Sequence, residues 1–357
     1  MKIEVYDRDL SPLGEVDDYD SCILTRPYRG HGKLEMLIPL DSLNAPLLAC
    51  FNWIYAGPKR IYQILRRDVD TEDADMLHVI GMLGGQAWAM RNTIPPAGQD
   101  LHTVTGSRDA ITKAYITTNA ISPAQAYRAV PHIAVAADQA GDIITDSTGW
   151  LNVRDEIERV LASDDMGYCW DRFSGSVVYD TYKGSDRTAG QSILPPVIFA
   201  LKYDNLLSRR YVQSYLDTEN VMYVGGAGEG AARTIVEVGD AEGDSRFEGF
   251  TDARNTSDLD ELANKGASAQ RDGIETLEAT VDGTGSTVYE QDFFLGDKVT
   301  AIDEKLGKTL DTRITEVREI AQKGQPDGLD ITFGNAIPTD LHMIARQRRQ
   351  INKLQAN

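Results

Sequence analysis

Ser21-Cys22-Ile23-Leu24-Thr25-Arg26-Pro27-Tyr28-Arg29-Gly30-His31-Gly32-Lys33-Leu34-Glu35-Met36-Leu37-Ile38-Pro39 decides how this chain is built. It divides into two extended runs, Ser21 to Tyr28 and Lys33 to Pro39, around Arg29-Gly30-His31-Gly32. Two glycines in four residues supply the positive φ that a tight reversal needs, so the segment predicts a hairpin. The same grammar recurs on either side. Lys2 to Asp7 places Ile3 and Val5 inward, and Asp9-Leu10-Ser11-Pro12-Leu13-Gly14 supplies turn residues for a first hairpin. Arg60 to Asp68 and Met76 to Met82 form another pair around the acidic turn from Val69 to Asp75. Short strands at this spacing predict a small barrel or sandwich, and Pro95-Pro96-Ala97-Gly98 marks its end.

From about residue 96 to 195 the pattern is mixed. Ser107 is placed to cap a helix with Ala110, Ile111, Ala114 and Tyr115 on one face, and Asn152 to cap one with Val153, Ile157, Val160 and Leu161. Ile133 to Ala136 reads as a strand, and Gly167 to Phe173 with Ser176 to Lys183 reads as a hairpin around Ser174-Gly175. After Pro195-Pro196 the strands return: Val221 to Val224, Arg233 to Val238, Arg246 to Thr251, Ile274 to Val281, Asp297 to Ile302, Leu310 to Ile320 and Leu329 to Phe333. One helix interrupts them, from about Ser257 to Asp272, with Leu259, Leu262 and Ala269 expected inward. The reading is mainly β with an α+β insert: a first β-barrel domain over 1–95, the insert over 96–195, and a second β-barrel domain over 196–336 with a helical insertion near 257–272.

Residues 337–357 stand apart because their charge is basic. Ile337, Leu341, Ile344 and Ile351 fall at heptad spacing with Arg348 at the remaining core position. About two and a half heptads form a marginal coiled coil alone. This C-terminal helix is therefore expected to meet a partner or a preformed oligomer, with Leu341, Ile344, Arg346, Arg348, Arg349 and Ile351 as the candidate partner or trimer contacts. The alternative is an amphipathic helix folded back on its own barrel.

Composition bounds the function. With 36 Lys and Arg against 55 Asp and Glu, the 357-residue chain carries a formal charge of −19. Length predicts two or three domains, at roughly 100–200 residues each. A content of 41% hydrophobic and 25% charged residues is that of packed protein rather than disorder. Binding to phosphate backbones needs clustered cations, and none cluster before the last twenty residues, so sequence-specific nucleic-acid binding is not expected. Cys22, Cys50 and Cys169 lie far apart without CxxC, and the N-terminus does not resemble a signal peptide, which predicts reduced thiols. No run approaches the roughly 18 apolar residues of a membrane span.

No catalytic, cofactor or metal site is expected. GxSxG is absent; Gly266-Ala267-Ser268-Ala269-Gln270 and Gly190-Gln191-Ser192-Ile193-Leu194 both lack the final glycine. The five histidines show no HxxxH or HxxEH spacing. Asp240-Ala241-Glu242-Gly243-Asp244 lacks the remaining positions and bidentate Glu of a calcium loop. Gly225-Gly226-Ala227-Gly228-Glu229-Gly230 runs on into strand rather than opening a helix, and so reads as a hairpin loop and not a phosphate cradle. Paired carboxylates for glycoside hydrolysis are defined by separation in space, which leaves a β-rich carbohydrate-active enzyme or a glycan-binding module as alternative readings.

The order of segments carries a resemblance. Ile3-Glu4-Val5-Tyr6-Asp7 through Leu13-Gly14-Glu15-Val16-Asp17-Asp18-Tyr19, then Leu24-Thr25-Arg26-Pro27-Tyr28 and Gly32-Lys33-Leu34-Glu35-Met36, resembles the start of siphophage tail-hub proteins. Val177 to Thr188 resembles their middle. The late segments Arg246 to Arg254, Leu295 to Thr300, Thr312 to Val317 and Thr332-Phe333-Gly334 carry the strongest likeness. Such proteins are similar in fold to the hubs of contractile-phage baseplates, with two tail-tube-like barrels per subunit. The resemblance implies a non-enzymatic virion protein of the tail tip, assembled in the host cytoplasm without cofactor. It further implies a homotrimer whose ring adapts a six-fold tube to a three-fold tip and passes DNA. The implied partners are a distal tail protein ring, the tape-measure protein, and a spike or fibre protein. No appended peptidase, lysozyme-like or fibre domain is recognised in the chain.

Overall fold

A computed structural model describes residues 1–69, 75–203, 205–281 and 287–334. The opening segment folds as its alternation dictates. Strand β1 (Ile3–Tyr6) pairs antiparallel with β2 (Pro12–Val16), and β3 (Ser21–Pro27) pairs antiparallel with β4 (Lys33–Pro39). With β5 (Trp53–Tyr55), β6 (Ile61–Asp68) and β7 (Met76–Leu83) they run in the order β3-β4-β7-β6-β5-β1-β2. Ile3, Val5, Leu24, Leu34, Ile38, Ile54 and Ile64 point into one core and are fully buried.

The insert builds three small layers. Strands β8 (His102–Gly106) and β10 (Ile144–Thr148) pair beside helix α1 (Arg108–Ile116) and helix α2 (Val153–Ala162). Strand β9 (Ile133–Val135) lies parallel to β12 (Ser176–Tyr182), which forms a hairpin with β11 (Gly167–Phe173). Both caps form as the sequence predicts: the Ser107 Oγ accepts from the Ala110 N–H, and the Asn152 Oδ1 accepts from the Arg154 and Asp155 N–H groups. Val153, Ile157, Trp170 and Tyr179 belong to the same apolar cluster as the first seven strands.

The last third returns to strands: β13 (Ile198–Ala200), β14 (Leu206–Ser214), β15 (Val221–Gly225), β16 (Ile235–Val238), β17 (Glu248–Asp252), β18 (Ile274–Val281), β19 (Lys298–Asp303), β20 (Lys308–Gln322) and β21 (Gly328–Gly334). Strands β16-β15-β17 form a separate small sheet covered by helix α3 (Leu259–Ala269). The Gly225–Gly230 segment connects antiparallel β15 to β16, the hairpin loop expected of it. Of the residues expected inward on α3, Leu262 is fully buried, Ala269 is half-buried and Leu259 is exposed; Gly266 joins Leu262 on the buried face. Gly266 faces Val224 and Val238 so closely that only a residue without Cβ fits.

The expected pair of barrels takes a more connected form. Among the described residues, thirteen strands belong to one sheet. The fifteen-residue strand β20 joins its two halves. Lys308–Arg313 of β20 pairs with β19, Ile314–Ile320 with β21, and Glu316–Gln322 with β3. Each half wraps its own core, and no strand ladder closes either into a full ring among the described residues.

Candidate functional site

The place where the two sheet halves and the insert meet holds the chain's densest buried charge. Strand β3 sends Cys22, Leu24 and Arg26 to one face at period two, so a guanidinium occupies a position otherwise apolar. The Arg26 side chain is 4% exposed and donates to the Tyr289 hydroxyl (2.8 Å) and Glu290 (3.1 Å). It also faces Glu319 of β20 at 3.2 Å. Arg60, from the turn before β6, donates through Nε to both Glu319 oxygens (3.0 and 2.7 Å) and through a terminal nitrogen to Glu319 and Glu290 (2.7 and 2.8 Å). Two cations and two carboxylates thus cancel at a site where Arg26, Arg60 and Glu319 are largely buried and Glu290 reaches solvent, and the balance matters because an unpaired buried charge is costly. Burial alone would lift the Glu290 carboxyl; the Arg60 hydrogen bond and the charges of Arg26 and Arg60 outweigh it and hold the carboxyl low. Burial pushes the Tyr289 phenol up to about 12, which keeps it a neutral acceptor for Arg26.

Tyr28, one residue past the end of β3, ties in the insert. Its hydroxyl donates to the Asp165 carbonyl (2.9 Å) and lies within reach of the Tyr182 carbonyl (3.2 Å), and its ring meets Tyr182 edge-on at 5.3 Å. Arg313 of β20 stacks over the same ring at 4.7 Å, and pairs with the Asp165 carboxylate. Burial would raise the Asp165 carboxyl, but Arg313, Arg29 and Lys298 together lower it. Two glycines make this approach feasible. A Cβ on Gly167 would strike the Tyr28 ring, and one on Gly184 would strike the Gly296 carbonyl. Asp297 completes the seam by accepting from the Ser185 N–H (2.7 Å), the Phe294 N–H (3.0 Å) and Arg187 (3.1 Å).

This seam, with two sheet halves and an insert locked into one body, can be compared with known proteins. The family model described as Siphovirus ReqiPepy6 Gp37-like protein matches residues 2–335. The chain belongs to that family. A comparison with curated protein sequences finds no match for this Gp37-like chain. Its fold is that of phage tail proteins. The 43 kDa tail protein of prophage MuSo2 from Shewanella oneidensis superposes with a TM-score of 0.60 at 12% identity, covering 93% of this chain and 98% of the other. The prophage tail protein gp18 from Listeria monocytogenes EGD-e gives 0.56 at 13% identity, with 99% and 100% covered. The tail protein from Neisseria meningitidis MC58 gives 0.54 at 10% identity, with 94% and 96% covered. The resemblance to siphophage tail proteins read from the segment order is borne out.

At the seam a half-open cleft of about 210 Å³ is lined in part by Lys59, Cys169, Tyr182, Glu290 and Asp297. Burial pushes the Cys169 thiol up to about 11, which leaves it protonated and a poor nucleophile near neutrality. Among the described residues, no three His, Cys, Asp or Glu side chains converge as a metal site, and no helix is long and apolar enough to cross a membrane. The seam's chemistry is that of a clamp. Leu341, Ile344, Arg346, Arg348, Arg349 and Ile351 lie outside the described residues. The sequence reading missed the seam, although Arg26 in the inward register of an otherwise apolar strand was a visible signal; its partners Glu290 and Glu319, hundreds of residues away, gave none.

Proposed function

We propose that this chain is the structural hub subunit of a phage tail tip, acting by assembly and without catalysis or cofactor. Three copies form a ring at the distal end of the tail tube. Each contributes two curled sheets, so that six sheets continue a six-fold tube while the chain's three-fold arrangement meets the tip. The ring contacts a distal tail protein ring and the tape-measure protein on one side and carries a spike or fibre protein on the other. It acts in the virion after assembly in the host cytoplasm. In this reading residues 1–95 and 196–336 are the two tube-like units, 96–195 is the insert, and 337–357 is a contact helix that uses Leu341, Ile344, Arg346, Arg348, Arg349 and Ile351.

The observation that carries the proposal is the fusion of two curled sheets through β20 in a chain matched by the family model over residues 2–335. Paired units in one rigid subunit are what a change from six-fold to three-fold order requires. The excess of 55 acids over 36 bases suits a passage that repels DNA rather than gripping it. Electron cryo-microscopy of tails labelled on this chain tests the proposal. Three copies around the axis at the distal end are expected, and six copies, or copies spread along the tube, would overturn it. For the last segment, a truncation after Asn335 should reduce oligomer mass or partner binding; no change in either removes the contact helix from the model.

A further inference from the structure

An exposed aromatic and basic surface lies at the N-terminal end of α2. Backbone bonds gather it. The Thr93 N–H donates to the Leu151 carbonyl (2.7 Å), the Trp150 N–H to the Thr93 carbonyl (2.9 Å), and the Val153 N–H to the Arg91 carbonyl (2.8 Å). Arg91 donates to the Arg128 carbonyl, and Arg128 to the Asn92 carbonyl (2.7 Å). Two guanidiniums are thereby held side by side, and neither pairs with a carboxylate among the described residues. Burial, then the charge of Arg91, lowers the Arg128 pKa, the mark of like charges kept close. Around them Tyr127 is 87% and Trp150 64% exposed, with Met90 and Leu151 also open to solvent. Trp150 sits at φ 61, a costly conformation for a bulky residue, which the flanking bonds to Thr93 maintain. Trp, Tyr and Arg around a small apolar centre is the composition of an interface anchor rather than of a solvated face.

The chain itself offers the complementary charge. Asp240, Glu242 and Asp244 are all exposed on the turn after β16, and none has a cationic partner among the described residues. That turn belongs to the small sheet covered by α3, and α3 meets the C-terminal end of α2 at a cleft lined by Val160, Ser163, Lys265 and Ser268. The basic surface is thus at the N-terminal end of α2, whereas the acidic turn belongs to a sheet whose covering helix meets the C-terminal end of α2, and no ion pair joins the two within one copy among the described residues. We propose that the Arg91, Arg128, Tyr127 and Trp150 surface of one copy binds the Asp240–Asp244 turn of the next. The contact is heterologous, and such a contact builds a ring when its rotation closes after a whole number of copies. It rests on the ring reading above and names the surfaces that would build the ring.

Two measurements test it on purified tails and on the full-length chain. In tails carrying Tyr127→Cys together with Glu242→Cys, mild oxidation should yield covalent dimers and trimers on a non-reducing gel, and neither single variant should do so. A three-fold hub without this ladder overturns the contact and leaves the ring standing, whereas a ladder within a hub of another symmetry overturns the ring and keeps the contact. On the full-length chain, R91E/R128E should weaken self-association by about tenfold or more, with D240K/E242K/D244K in the same chain restoring it. If the first pair weakens tail assembly but the second set does not restore it, a different acidic protein occupies the surface and the second-copy assignment is wrong. Unchanged association in both variants overturns it as well.

Discussion

Replacing Glu319 by Ala removes the acceptor that both buried arginines share. In the native seam it takes two bonds from the Arg60 Nε and one from a terminal nitrogen, all between 2.7 and 3.0 Å, and faces Arg26 at 3.2 Å. Its side chain is 15% exposed, against 4% for Arg26 and 10% for Arg60, so water does little to replace what is lost. Two cations then share Glu290 alone. Breaking a buried pair from one side costs roughly 3–5 kcal/mol. Because several packed cores need not unfold as one, the readout is native-state amide exchange of the β3–β20 ladder, where Leu24 faces Glu319 and Arg26 faces Val317. At a tenfold change per about 1.4 kcal/mol, protection there should fall by roughly two to four powers of ten. The solvent-exposed pair of Lys183 with Asp164 supplies the control, and Lys183→Ala should cost less than about 1 kcal/mol. If Glu319→Ala changes exchange no more than Lys183→Ala does, the network is not what joins the two sheet halves.

Three further outcomes are expected. The Glu290 and Asp165 carboxyls are held below their ordinary values, so the stability they contribute is complete above the ordinary carboxylate range and is lost as pH falls through the lowered values. Seam protection should therefore stay flat from about pH 8 to 5 and drop below about pH 4, and Glu290→Gln should shrink that drop. Gly184→Ala, which drives a Cβ into the Gly296 carbonyl, should lower the melting temperature sharply, while Gly190→Ala, with open space around it, should change stability by less than about 0.5 kcal/mol. In thiol labelling of the native chain, Cys50 should react first. Cys169, half-buried with its thiol pushed up to about 11, should follow more slowly, and Cys22, fully buried with its thiol pushed up to about 12, should react only on opening, with all three labelled after denaturation.

Local chemistry was legible and long-range pairing was not. The hairpin around Gly30 and Gly32, the caps at Ser107 and Asn152, and the turn at Ser174-Gly175 are each dictated within a few residues, and each forms. Strand β14 escaped notice because it is an edge strand, half exposed, whose Ser208-Arg209-Arg210 interrupts any apolar alternation. The expected strand Leu310 to Ile320 forms, and β20 runs two residues further at each end, through Lys308-Thr309 and Ala321-Gln322, where no apolar alternation marks a boundary. Leu259 was assigned inward on hydrophobicity, yet the close approach of Val224 and Val238 to Gly266 sets which face α3 buries. In the seam, Arg26 was readable as an anomaly of register. That Glu319 answers it follows from the register of β20 against β3, and that Arg60 and Glu290 do so follows from the packing of the turn before β6 and of the segment before β19; no local pattern encodes either.

The position of β20 in the chain has a consequence for biosynthesis. The outer edge of β3, from Ser21 to Pro27, is hydrogen-bonded by Glu316 to Gln322, far downstream in the sequence. On the ribosome the first seven strands emerge early, but that edge stays open until Glu316 to Gln322 have been translated. For all that time a row of unsatisfied peptide groups, with Arg26 unpaired beside them, is available to any neighbouring nascent chain. A fragment ending before β20 is accordingly expected to aggregate or to need a chaperone. The late arrival of the bridging strand ties a quiet β3 edge to translation through Gln322.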